Sequence, residues 1–150
     1  MSEVNKEAPP YYQSSYMHWD FAVKVGLGYL DGCSTKYVAR WRGKEGLKDL
    51  QKGRHFLDKL IEVGDYSIRR KNVIIDVELK RFVEANSLTF LEHQYLFILC
   101  TYRNEAALRS AQQILTKIIA TATKDESIKV EDEYKPGTPE DGGHHSRMED

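Results

Sequence analysis

Between Gly32 and Lys59 an apolar side chain returns every three or four residues, and cations fill the gaps. Leu30, Cys33, Tyr37 and Trp41 fall on one side of a helix. Lys36, Arg40 and Lys44, four residues apart, stack along a neighbouring side. After Gly43-Lys44-Glu45-Gly46 the pattern resumes with Leu47, Leu50, Leu57, Leu60 and Ile61. Two amphipathic helices split by a glycine-flanked turn bury their apolar faces by folding back on each other. The spacing therefore predicts an antiparallel helical hairpin over residues 32–63. Gly43 is the expected stop of its first helix, because glycine accepts the left-handed conformation that closes a helix. Asp49 suits the first turns of the second, where a carboxylate meets the positive end of the helix dipole.

The same periodicity extends to the rest of the chain. A short helix is expected over Tyr16–Leu27, with Trp19, Val23 and Leu27 on one face and Gly26 or Gly28 at its end. Gly64 is a second expected helix stop. Val73-Ile74-Ile75 leads into a helix over Asp76–Ala85, with an edge strand as the fallback. Thr89-Phe90-Leu91-Glu92 has the form of a capping box and opens a nearly all-apolar helix to Tyr102. Asn104 is the expected N-cap of a last helix over Ala106–Ala122. The fold class is all-α: a compact bundle of five to six helices. A loose arm covers residues 1–14 and one helical domain residues 15–123. Residues 124–150 hold nine acids against four bases, with prolines and glycines, and are expected to be a disordered acidic tail.

With 150 residues and 41% hydrophobic side chains, the chain can form one sizeable core. It has no apolar run long enough to span a bilayer. Its first residues, MSEVNKEAPP, lack the apolar core of a signal peptide, so no membrane partner and a cytoplasmic location are expected. Cys33 and Cys100 sit in apolar surroundings and are expected as reduced thiols.

The chemistry follows from charge. Residues 32–59 carry eight cations against three acids, on a chain whose total is −1. Lys36, Arg40, Lys44 and Lys52 are the expected phosphate holders, and Asp49 would orient a lysine or the acceptor. Free N–H groups at the start of the hairpin's second helix would add to such a site. Tyr37 or Trp41 could stack on a base, although core burial accounts for Tyr37 at least as well. His18, beside Trp19 and Asp20, and His55, on the basic stripe, are the titratable candidates. There is no Walker loop and no zinc spacing, and no dedicated metal site is expected.

The pattern Gly32-x3-Lys36-Tyr37-x2-Arg40, then Lys44, then Asp49-Leu50-x-Lys52, resembles a family of small bacteriophage proteins that includes the T7-type nucleotide kinase. Pro10-Tyr11-Tyr12 ahead of the first helix fits the same family, and the match covers residues 10 to about 63. The resemblance implies an α-helical phage protein in the cytoplasm of an infected bacterium. It also implies phosphoryl transfer from a nucleotide donor to deoxynucleoside monophosphates without a Walker motif. Carried over by position, Asp49 and Lys52 are the expected catalytic residues, and Gly32, Lys36, Tyr37, Arg40 and Lys44 the expected substrate contacts. The alternatives are a phage protein that sequesters a nucleotide or engages a host protein without turnover, and, more weakly, a nucleic-acid binder. The acidic tail disfavours the last. The apolar stretch Phe90–Tyr102 makes a homo-oligomer an expected form.

Overall fold

The computed structural model describes residues 14–67, 70, 71 and 73–133, with side chains as far as Asp125. The described residues form six α-helices and one 3-10 turn, with no strand. In chain order these are α1 (His18–Val25), α2 (Tyr29–Arg40), the 3-10 turn Trp41–Gly43, α3 (Leu47–Val63), α4 (Ile75–Ala85), α5 (Phe90–Thr101) and α6 (Glu105–Glu133). The all-α bundle is as expected. No helix among the described residues is long and apolar enough to cross a membrane.

The hairpin is the most extensive pairing in the molecule. Its helices approach closely because Gly53 has no side chain. A Cβ there would lie 2.8 Å from Val38 Cγ2 and 3.3 Å from the Ser34 carbonyl oxygen. Ser34 Oγ donates to the Gly53 carbonyl at 2.8 Å and lies 2.5 Å from the Tyr95 hydroxyl. Ser34 has a single hydroxyl proton, so Tyr95 must be the donor in that second bond. One buried hydroxyl thus joins α2, α3 and α5. Burial holds the Tyr95 phenol well above its ordinary pKa. Around this knot, Val38, Leu50 and Leu57 form a continuous core with Leu96 and Leu99 of α5 and Leu108, Ala111 and Leu115 of α6.

The hairpin turn differs from expectation in one residue. Gly43 belongs to the 3-10 turn, and the left-handed backbone falls at Gly46, with φ of 60°. The chain takes an extra turn after Arg40 because Trp41 and Arg42 are both held by Glu92. Trp41 Nε1 donates to Glu92 Oε1 at 2.8 Å, and the Arg42 guanidinium donates to the same oxygen. The other Glu92 oxygen completes the expected capping box, accepting from Thr89 N and Oγ1 at 2.6 Å each. Gly64 closes α3 as expected, and Asn104 Oδ1 caps α6 by accepting from Ala107 N at 2.8 Å.

Two features were not legible in advance. Arg70, for which the sequence suggested no role, donates to the carbonyls of Gly26, Leu99 and Cys100 and pairs with buried Asp31 at 2.7 Å. It thereby satisfies the open carbonyl ends of α1 and α5 with one side chain. The last helix also runs past the expected end at Ala122, to Glu133. Extending a formed helix needs no new nucleus, and charged residues of good helix propensity suffice to do it. The remainder of the expected tail, and the expected arm with Pro10-Tyr11-Tyr12, lie outside the described residues.

Replacing Gly53 by alanine should force α2 and α3 apart, because one of the two close atoms is backbone. The expected cost is about 1–3 kcal/mol, read from the urea midpoint of unfolding.

Candidate functional site

A cavity of about 510 Å³ opens between three pieces of the fold: the start of α1, the end of α2 with its 3-10 turn, and the end of α4. The four-residue spacing puts Lys36 and Arg40 on one wall, and the extra turn adds Arg42. Met17, Ala39, Phe82 and Leu88 supply apolar surface, and Trp19, 59% exposed, stands at the rim. No lining residue is acidic. The N-cap residue of α1, Met17, makes no side-chain cap bond, and the first residues of the helix line the cavity. The positive end of that helix dipole therefore faces the same space as the cations.

Arg40 is aimed by its partners. Its side chain is only 13% exposed and its guanidinium lies 3.6 Å from Oδ1 of Asp49, which is fully buried. The second Asp49 oxygen accepts from the Glu45 backbone N–H at 3.1 Å. Asp49 thus ties the turn ahead of α3 to its first turn. The start of α3 does not line the cavity, and the start of α1 does. Lys36 Nζ and Arg40 Cζ each lie 4.6 Å from the centre of the Tyr37 ring, within cation–π range.

His18 lines the cavity with its Nε2 2.8 Å from Thr35 Oγ1. Thr35 Oγ1 also faces the Asp31 and Gly32 carbonyls at 2.9 and 3.1 Å, and a carbonyl can only accept. The Thr35 proton is used there, so His18 Nε2 must carry the hydrogen and Nδ1 the lone pair. Burial, then the nearby Lys36 and Arg40 charges, lower the His18 pKa from the ordinary 6.5 to about 3. The ring is therefore neutral at physiological pH.

The expected site residues are thus divided. Lys36, Arg40 and His18 meet at the cavity. Lys52 approaches the Tyr37 ring at 5.4 Å but pairs with Glu45 at 3.1 Å and does not line the cavity. Lys44 is exposed in the turn, and Gly32 is an internal residue of α2. Asp20 is exposed in the first turn of α1, and exposed His55 packs edge-on against Phe56 at 5.9 Å. Neither expected stacking ring presents a face to a ligand: Tyr37 is buried in parallel contact with Phe56, and Trp41 is buried on Glu92. Trp19 is the exposed aromatic side chain at the cavity, and Phe82 lines it while buried. Asp49 is a positioning residue for Arg40. Arg42, Asn86 and Ser87 also line the cavity and were not singled out in the sequence. Arg42 stood in the basic stripe. Nothing in the sequence linked the end of α4 to α1.

Among the described residues, no cluster of three or more His, Cys, Asp or Glu side chains is placed to hold a metal ion. The cavity lining carries three cations and no acid. Comparison of the chain with protein-family models, with curated proteins and with solved structures finds no match.

Removing the Asp49 carboxylate strips a buried charge from Arg40. Asp49→Ala should cost about 3–5 kcal/mol of stability, read by urea denaturation. The His18 ring should show no titration by NMR between about pH 8 and pH 5. Its folded pKa lies below its unfolded one, so the unfolded state takes up the proton first. The stability linked to His18 is complete above 6.5 and is lost as pH falls toward about 3. His18→Gln should remove that part of the acid sensitivity, seen as a flatter fall of the urea midpoint.

Proposed function

We propose that this is a nucleotide-handling protein whose cavity holds a nucleoside monophosphate. The phosphate would rest between the start of α1 and the Lys36, Arg40 and Arg42 side chains, and the base against Met17 and Leu88. The observation that carries this reading is the cavity lining: three cations, the first turn of a helix, an apolar wall, and no carboxylate. Its volume of about 510 Å³ lies in the range of small-molecule sites.

The resemblance of residues 10–63 to the phage family that includes a nucleotide kinase supports the same ligand class and adds a reaction. A nucleoside monophosphate attacks through a phosphate oxygen that is largely ionised near neutral pH. Such a step asks the protein for positioning and positive charge more than for a base. The lining supplies those, and Asp49 keeps Arg40 in place. One observation favours a second reading, sequestration without turnover in the infected host. The cavity has room for one nucleotide, and the donor would have to approach across its open side.

Titration calorimetry with each deoxynucleoside monophosphate tests the binding. Lys36→Ala and Arg42→Ala should each weaken it about tenfold or more, because each removes a charge-assisted contact. Chromatography after incubation with nucleoside triphosphates separates the two readings. Diphosphate that disappears in Lys36→Ala supports transfer, and binding with no diphosphate supports sequestration. No binding of any monophosphate overturns both.

A further inference from the structure

We infer that the turn after α4 reads the base of the bound nucleotide through an exocyclic amino group. This rests on the reading of the cavity as a nucleotide site.

The Asn86 side chain can only accept a hydrogen bond from a ligand. Its Nδ2 donates to the Tyr16 carbonyl and to the Phe82 carbonyl, both at 2.9 Å. Both partners are carbonyl oxygens, so the amide cannot be flipped without losing both bonds. Its two N–H groups are spent, and Oδ1 remains as the group to offer. Asn86 lines the same cavity as the cations of α2, from a different element. A ligand that places its phosphate on the cations would carry its far edge to this acceptor.

Ser87, the next residue, also lines the cavity and has a left-handed backbone, with φ of 53°. The turn closes α4 in the Schellman pattern. Leu88 N donates to the Val83 carbonyl at 3.1 Å and Ser87 N to the Glu84 carbonyl at 3.4 Å. Glycine fills that position at no steric cost, and a serine there is strained. Strain of this kind at a cavity is a pointer to use, and what serine adds over glycine is a hydroxyl. The Asn86 acceptor and the Ser87 hydroxyl thus stand in one turn beside the apolar side chain of Leu88. A base packed on that side chain meets a fixed acceptor, which an exocyclic amine satisfies.

Calorimetry with two matched pairs of ligands tests this: cytidine monophosphate against its 4-desamino analogue, and adenosine monophosphate against its 6-desamino analogue. The expected result is about tenfold tighter binding of the amino form in at least one pair. Asn86→Leu should bind both members of that pair alike. Ser87→Gly relieves the backbone, so it should melt no lower than the parent yet bind the amino form more weakly. This keeps the test intact if Asn86→Leu fails to fold. Equal binding within both pairs, with the Lys36 dependence intact, overturns the reading of the base and leaves the phosphate site standing. An amino preference that survives in both variants also overturns it. Absence of binding by every monophosphate overturns this inference together with the proposed function.

Discussion

A carboxylate cannot be enclosed without a cation to face it, and Asp49 is wholly enclosed. That constraint fixes much around it. Arg40 must come to it, so the end of α2 is pinned to the start of α3. The turn between them is then held from the other side by Glu92, another fully buried acid, which takes Trp41 and Arg42. Two enclosed acids thus set the path of the chain from Arg40 to Asp49. The cations they fix are two of the three that line the cavity. Stability and the site use the same pairs, so the guanidinium groups are aimed before any ligand arrives, and less ordering entropy is lost on binding.

The hairpin was legible because its signal is local. Four-residue spacing specifies which side chains share a helix face, and Lys36 and Arg40 share one wall of the cavity for that reason. What spacing cannot say is which face another element will cover. Tyr37 alternates with cations, and that pattern allows a stacking platform but favours core. Phe56 and the closeness of α3 at Gly53 decided for core. Trp41 went the same way because its indole N–H found Glu92, fifty-one positions along the chain. The helix limits show the same division. The Thr89–Glu92 box is contained within four residues and was readable. The end of α6 depends on how far a formed helix extends, which composition alone does not mark.

The rest of the site was hidden because it is built from distant segments. Ser14 Oγ reaches the Ala85 carbonyl at 3.4 Å, and Asn86 reaches the Tyr16 carbonyl, each across some seventy residues of chain. These bonds bring the start of α1 to the end of α4 and close the cavity on the side opposite the hairpin. A basic stripe on its own is a solvated helix face. It becomes a candidate site only when another wall stands across from it, and that wall is a tertiary fact.

The neutral state of His18 follows from the same placement. Lys36 and Arg40 oppose a further positive charge beside them, and burial adds to the effect. An anion held by those cations would cancel part of their field and make the ring easier to protonate. By linkage, a protonated ring would hold the anion more tightly. The Thr35 bond bears on where that proton could go: Nε2 already carries its hydrogen toward Thr35, so only Nδ1 can take one up. The cations that line the cavity therefore also keep His18 uncharged, and the charge of an anion held there and the charge of the ring are bound to rise together.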